Sequence, residues 1–408
     1  MKVCFLGTYE KNYPSNRIII KGLKKNGIDI VECHISLWEK YRNKHGNFLK
    51  LFSMFKLAVG LVAAYTRLCF MFFSKCKNVD VIVVGYIGQL DIFFLKALLL
   101  FKKNKPKILF VPLVSLYDTA IADRGLSGRN NLFAKLLFYI DKFSFKIADL
   151  VVFDTNEHIN YISDLFNLNK SKFKRIWVGA DEDVFYPMEI ESFKKNCHPE
   201  LVSGSSSDVG LADSKFSKQT VTNNSFQVLF IGKYIPLHGL EYIIKAAKLL
   251  ENEDKSVKIK IIGSGQLDEE IMNLRKKLET KNIDFVDWIE YNKLVNEINK
   301  ADVILGIFGG TDKSLRVIPN KVFQAIACKK AVITGDSPAI RELFTDKENI
   351  LLCKNRNSKA LKNAILELKN GDKLRKKIAE NSYMNFQDNF SSKKIGKMIA
   401  DIIIDLKK

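Results

Sequence analysis

The 408-residue chain has seven cysteines but no Cys-x-x-Cys pair: Cys4, Cys33, Cys69, Cys76, Cys197, Cys328 and Cys353 are scattered and odd in number. That spacing argues against a disulfide framework or a zinc site and for buried free thiols in a reduced compartment. Long hydrophobic runs are also missing. The most apolar stretch, Phe48 to Phe73, is broken by Lys50, Lys56 and Arg67. Only ten residues separate the last two, well short of the roughly 20 that span a bilayer. No N-terminal secretion signal is expected, since VCFLG is too short for an apolar h-region and reads as a first strand. The chain is therefore expected to stay in the cytoplasm. Acidic residues are few beside basic ones, 45 against 65, for a net charge of +20. Residues 1–110 hold 19 basic and 6 acidic side chains and so carry +13 of that excess. Such a basic half suggests an anionic partner, lipid headgroups or nucleic acid. What is abundant is core material. With 47% apolar and 27% charged residues, a disulfide miniprotein, a collagen-like chain and a fully disordered chain are excluded, and two or three domains are expected.

The basic and the apolar residues occupy the same stretch. From Lys40 to Lys107 there are 13 basic residues, opposed by Asp80 and Asp91, with Glu39 just before them. Lys50, Ser53, Lys56, Gly60 and Arg67 recur at helical spacing, a narrow polar stripe on an otherwise apolar helix. Leu95 to Phe101 followed by KKNKPK repeats the pattern. This reads as a surface lying among headgroups, with Lys50, Lys56, Arg67, Lys75, Lys102 and Lys103 on phosphates and Phe, Leu and Met below. The alternative is an ordinary core helix rimmed by solvated lysines. On the first reading the protein associates peripherally with the inner face of the plasma membrane.

Short β-branched runs alternate with helical stretches, the pattern of parallel sheets covered by helices on both faces. In the first half the strands are expected at Val3, Asp29, Asp80, Lys107, Asp149 and Lys174. In the second they are expected at Gln227, Lys258, Ile283, Asp302, Ala331 and Asn349. Two sets of six predict an α/β chain of two facing Rossmann-like domains, over 1–187 and 226–385, with residues 386–408 as a helix crossing back to the first. Between them, the Ser-rich segment 191–225 lacks apolar periodicity and is expected to be a disordered, dispensable insertion. Cys197 and His198 within it have no further ligands nearby and are read as incidental.

Glycines mark several strand ends, where an open parallel sheet binds its ligand: Gly7, Gly85, Gly232, Gly263 and Gly265. IIGSGQL lacks the third glycine of the dinucleotide fingerprint and means either close approach to a ligand or a simple tight turn. IGKYIPLHGLEYIIKAAKLL, from Ile231, is a strand, a polar loop and an amphipathic helix opening near Gly239. IFGGTDKSLRVIPNKVFQAIACKKAVITG, from Ile307, leads through Gly309, Gly310, Arg316 and Pro319 to a helix near Asn320. A helix N-terminus offers free N–H groups and about half a positive charge, which suits phosphate. Two of them with Lys233, Arg316 and Lys321 would hold a diphosphate without a metal; each basic residue alone is equally a solvated surface group.

These segments together resemble the family 4, group 1-like glycosyltransferases of the GT-B fold. IGKYIPLHG is similar to the start of that family's second domain, with Lys233 at the usual arginine position and His238 at the usual lysine position. IIGSGQL matches its Gly-x-Gly-x-Leu turn, and VGADEDVFYP, from Val178, the segment closing the first domain. PNKVFQAIACKKAVITGDSPAIREL resembles its donor-binding region. The family's Glu-x7-Glu pair falls on Arg316 and Gln324, so the carboxylate expected on the ribose is gone, although Gln324 still offers a donor and an acceptor. His238 in place of lysine weakens the diphosphate site, because imidazole is largely neutral at pH 7.

The resemblance implies transfer of a sugar from a nucleotide-sugar donor with retention, to a glycan or lipid-linked acceptor in cell-envelope polysaccharide or lipopolysaccharide synthesis. Lys233 and Lys321 would stabilise the departing diphosphate. Gly7, Gly232, His238, Gly263, Gly265, Gly309, Gly310, Arg316, Asn320, Gln324 and Glu342 would surround the donor. Asp118, after the fourth strand, is expected near the reacting carbon with Asp123 and Arg124 behind it, or else as a helix N-cap. Asp181-Glu182-Asp183 is read as structural rather than as a metal-binding D-x-D, and neither metal nor cofactor is expected. A GT-B sugar-nucleotide epimerase and a basic nucleic-acid-binding protein are the alternatives. The second would place aromatics on an exposed sheet or recognition helix, whereas the phenylalanines here lie in apolar helical runs, so no nucleic-acid partner is expected.

Overall fold

The computed structural model describes residues 1–38, 51–188 and 225–408. Lys50 and the expected insertion, with Cys197 and His198 but without Ser225, lie outside the described residues. The first sheet contains β1 (Lys2–Gly7), β2 (Asp29–His34), β3 (Val81–Val84), β4 (Lys107–Phe110), β5 (Leu150–Phe153) and β6 (Phe173–Arg175). The second contains β7 (Phe226–Ile231), β8 (Val257–Ile262), β9 (Ile283–Val286), β10 (Val303–Leu305), β11 (Ala331–Gly335) and β12 (Leu351–Cys353). Both are parallel throughout, in the orders β2-β1-β3-β4-β5-β6 and β12-β11-β10-β7-β8-β9. All twelve strands fall where the apolar runs place them. Several are shorter than their runs; β6 stops at Arg175, and beyond it the Arg175 guanidinium stacks on Trp177 at 3.8 Å.

Period-two alternation sorts the first sheet's residues into two cores. Val3, Phe5, Val81, Val83, Leu109 and Val152 face helix Pro14–Lys25 and the C-terminal helix. Cys4, Leu6, Ile82, Val84, Ile108, Phe110, Val151 and Phe153 face helices Leu51–Lys75, Gln89–Leu99 and Leu132–Ile147. The helix expected over Phe48–Phe73 runs from Leu51 to Lys75. Its Lys56–Lys75 part is long and apolar enough by length and composition to cross a membrane. Leu68 and Phe72, however, are fully buried on the sheet, while Val59, Val62 and Phe70 point outward at 52%, 68% and 74% exposure.

Helix Asp372–Asn389 packs on the second sheet, and the chain then returns to the first through Phe390, whose ring meets Trp177, Phe323 and Phe344. The last helix, Ser392–Lys407, lies along Pro14–Lys25, where Gly22 and Gly396 touch backbone to backbone. Lys407 pairs with Asp80 at 2.9 Å. Asp181, Glu182 and Asp183 pair with Arg17, Lys21 and Lys25, so this acidic triplet clamps the helix Pro14–Lys25.

Candidate active site

In each sheet the strand order reverses once, between β1 and β3 and between β7 and β10, and ligands of open parallel sheets bind outside the carboxyl ends at such points. At the second reversal, β7 runs into Gly232, a short turn Pro236–His238 and the helix Leu240–Glu253, while β10 runs into Gly306, Gly309 and Gly310. A Cβ at Gly263 (φ +139) would overlap the Gly232 carbonyl, one at Gly265 would lie 2.7 Å from the Tyr234 nitrogen, and one at Gly309 would overlap the carbonyls of Pro236 and Leu237. The close approach expected toward a ligand is thus between the loops themselves, which pack main chain to main chain into one floor. Gly310 lies under the Arg356 side chain.

Two helices open onto this floor without side-chain caps, Leu240–Glu253 after Gly239 and Asn320–Ala327 after Pro319. Helix starts of this kind favour an anion, although the Tyr242 and Val322 N–H groups already donate to the carbonyls of Gly239 and Pro319. Asn320 is the first, half-buried residue of the second helix. Lys321 follows it and is buried: its Nζ lies 3.6 Å from the centroid of the Phe230 ring and 3.3 Å from the Gly306 carbonyl oxygen. Burial alone pushes its amine well below the ordinary lysine range, since a charge in an apolar site loses its hydration. His238 is buried as well and held neutral, chiefly by that burial. Its Nδ1 meets the Lys233 carbonyl oxygen. A carbonyl only accepts, so Nδ1 carries the hydrogen and Nε2 is left as a lone pair. His238 therefore shapes the loop and adds no positive charge. The Lys233 side chain is exposed.

Across the cleft, the turn Asp118–Asp123 of the first domain meets the loop 311–316 of the second. Asp118 is fully buried between Arg316, 2.7 Å away, and Lys313, 3.2 Å away. Burial opposes its charge, but Lys313 and Arg316 outweigh it and hold the carboxyl below its usual range. Lys313 also donates to the Thr119 hydroxyl, and the Thr311 hydroxyl to Asp123. The Arg316 guanidinium lies 3.5 Å from the centroid of the Tyr161 ring. Asp118 does not cap the helix that starts with it, and its carboxylate, expected near the reacting carbon, is paired with two cations of the other domain. Arg316, expected on the diphosphate, is the partner that takes it. Arg124, expected behind Asp118, is the first-domain cation whose charge reaches His238, and its Nε is buried without a hydrogen-bond partner.

Residues 212–384 match the family described as glycosyl transferases group 1. That match takes in about two-fifths of the chain. An uncharacterised glycosyltransferase of Methanocaldococcus jannaschii is 28% identical over 173 residues, 41% of this chain and 44% of that protein. A second from the same organism is 24% identical over 268 residues, 64% of this chain and 60% of that protein. The chain spans about half the length of the curated relatives it matches. Among solved structures, HepE of Anabaena in complex with UDP has a TM-score of 0.67 at 13% identity, covering 99% of this chain and 100% of its own. Sucrose-phosphate synthase of Thermosynechococcus elongatus has a TM-score of 0.70 at 14% identity, covering 100% and 99%. At such identity the likeness is one of fold, and the fold is GT-B.

The second domain does not bring all of its expected donor residues to the floor. Glu342 accepts the backbone N–H groups of Asn156 and Glu157, both at 3.0 Å, and so caps a helix of the opposite domain. Gln324 is buried and bonds the Tyr291 hydroxyl, beside Phe185 and Arg17. On the facing domain, Gly7 is pressed against Asp91, which accepts from the Thr8 nitrogen and hydroxyl. Of the surface set, Lys56, Arg67, Lys75 and Lys103 are exposed. Lys102 is not available: its amine bonds the Cys76 carbonyl and lies 4.9 Å from the centroid of the Phe72 ring. Lys313 and Tyr161 are the functional neighbours that sequence reasoning passed over, since nothing in GGTDKSLR singles out the lysine before Asp118 is folded against it.

Proposed function

We propose that the protein is a glycosyltransferase that moves a sugar from a nucleotide-sugar donor to a glycan or lipid-linked acceptor, with retention and without a metal. The observation carrying this reading is the floor of the second domain. There a buried amine with no carboxylate partner among the described residues, Lys321, stands among close-packed glycine loops and two uncapped helix N-termini, opposite Arg124. A departing diphosphate would return the charge that Lys321 forfeits by burial. Groups placed where charge develops stabilise the transition state most when fixed in advance. HepE, which shares the fold, has been solved with UDP, with UDP and glucose and with UDP-glucose, which favours such a donor. With Asp118 engaged by Lys313 and Arg316, the acceptor hydroxyl attacking from the leaving-group face would lose its proton to the departing phosphate oxygen. Asp118 would serve to hold the domains closed around it.

A membrane-bound acceptor is supported by one face of the first domain. Helix Leu132–Ile147, which packs on helix Gln89–Leu99, exposes Leu132, Phe133, Leu136, Tyr139 and Phe143, and Phe101 is 80% exposed. Exposed apolar side chains in such number are unusual unless something covers them, and Lys56, Arg67, Lys75 and Lys103 suit anionic headgroups. These features support a protein acting on the cytoplasmic side of the inner membrane, in envelope glycan or lipopolysaccharide synthesis, rather than one that binds nucleic acid. The deciding experiment is a panel of nucleotide sugars read by thermal stabilisation, followed by transfer assays with chelator and with anionic vesicles. One donor class should raise Tm and be consumed with chelator present. A panel with no stabilising donor, or a strict need for added divalent metal, would sink the reading.

A further inference from the structure

Three cysteines dispersed along the chain meet inside the first domain. Cys4 lies on β1, Cys33 on β2 and Cys76 directly after helix Leu51–Lys75, and all three are fully buried. The Sγ atoms of Cys33 and Cys76 are 3.3 Å apart and those of Cys76 and Cys4 are 2.9 Å apart. Apolar groups in contact sit at about 3.5–4.0 Å, so these sulfurs converge on one point rather than simply filling space. We propose that Cys4, Cys33 and Cys76 form a buried trithiolate site for a thiophilic d10 cation of the monovalent-copper type, which ties β1, β2 and the end of helix Leu51–Lys75 together.

The donor set selects the ion. Soft thiolates favour copper(I) and zinc over hard cations, and structural zinc takes four ligands. Among the described residues the cluster offers three, Cys4, Cys33 and Cys76, with no histidine or carboxylate joining them. A trigonal cation about 2.3 Å from each sulfur sets the sulfurs about 4 Å apart, inside the 4.8 Å within which all three already lie. The sulfurs open slightly and the backbone need not move. Binding deprotonates the thiols and releases their protons to solvent. The negative charge left behind has cations at hand. Lys75 adjoins Cys76 in sequence and its charge is felt at Cys33, while the Lys102 amine reaches the Cys76 carbonyl. This accounts for a lysine turned inward at the edge of an apolar helix.

The test is independent of sugar transfer. Full-length protein, reduced and kept anaerobic, is titrated with Cu+ and followed by ultraviolet sulfur-to-metal charge transfer and by Tm. The expected result is one equivalent bound, a charge-transfer band and a Tm raised by several degrees, because a ligand of the native state stabilises it by mass action. Cys33→Ser should lose the band, and Cys69→Ser should keep it. The wild-type arm needs no variant to fold: no band and no Tm shift there overturn the site. So does an equal band in folded Cys33→Ser protein, which would put the cation on other thiols such as Cys197, or an intact mass two hydrogens low, which would make the pair a disulfide.

Discussion

The two sheets are built alike and hold their cleft loops differently. In the second domain the loops after β7, β8 and β10 brace one another through glycine backbone, and Lys321 is buried beside them. In the first, buried carboxylates hold the loops from beneath. Asp91 accepts from Thr8 after β1, and Asp141 from the Ser115 hydroxyl and the Tyr117 nitrogen after β4. Asp91 belongs to helix Gln89–Leu99, which stacks on helix Leu51–Lys75 through Phe94 and Tyr65 at 4.5 Å, and Asp141 belongs to helix Leu132–Ile147. These helices form the apolar outer face. One side of the cleft is therefore tied to itself and the other to the surface. That division suits a donor site that must be fixed in advance and an acceptor site that answers to what the outer face touches.

The contact between the halves offers the largest test. Asp118→Ala leaves Lys313 and Arg316 buried and unpaired, and breaking a buried pair from one side costs about 3–5 kcal/mol. Tm should fall by several degrees and small-angle scattering should show a more open pair of domains. An unchanged Tm would mean that the two cations find other partners and that the cleft is not latched here. Next comes the donor floor. Lys321→Met should slow transfer about a hundredfold, the scale for losing one charge partner of the transition state. Tm should hold or rise, because a costly buried amine is removed. Slower transfer with a large loss of Tm would make Lys321 a structural residue.

On the outer face, Lys56, Arg67, Lys75 and Lys103 changed to Glu should abolish binding to anionic vesicles, at about 1 kcal/mol per cation. Lys102→Glu should instead lower Tm, since that amine is turned inward. Equal loss of vesicle binding from Lys102→Glu alone would contradict its placement. The smallest expected effect is on pH. Burial first raises Asp91 and Asp141 to about 6. Their contribution to stability is full below about 3.9, the ordinary aspartate value, and fades as pH rises through 6. His238 is depressed, so its contribution is present above about 6.5 and fades as pH falls. Hydrogen exchange resolved by domain, corrected for intrinsic rates, should show opposite slopes between about pH 4 and 6.5. Asp91→Asn should flatten only that of the first domain.

The twelve strands and the two-sheet architecture were legible because fully buried parallel strands are short continuous apolar runs, and VIVV or AVITG has few other ways to fold. The glycine loops and the lysine opening helix Asn320–Ala327 were legible for a similar reason: strand, glycine and helix start are local signals. Roles that depend on distant partners were not. Asp118 and Arg316 lie 198 residues apart, and each alone looked like a site residue. Glu342 looked like a donor ligand until the first domain's helix Asn156–Phe166 was placed above it. Lys102 belonged by sequence to a basic fringe and by structure to the Cys76 carbonyl.

Composition and periodicity alone therefore determined the two parallel sheets, the basic and apolar character of the first domain and the glycine loops of the second, because each follows from backbone preference and burial along a few consecutive residues. Tertiary structure decided which charges are free. Lys321 kept no carboxylate, Arg316 and Asp118 found each other across the cleft, His238 was fixed as a neutral ring, and Cys4, Cys33 and Cys76 became neighbours. A charge or a thiol takes its properties from whatever lies within a few ångströms, and in a parallel α/β fold those neighbours come from strands and loops far apart in the chain.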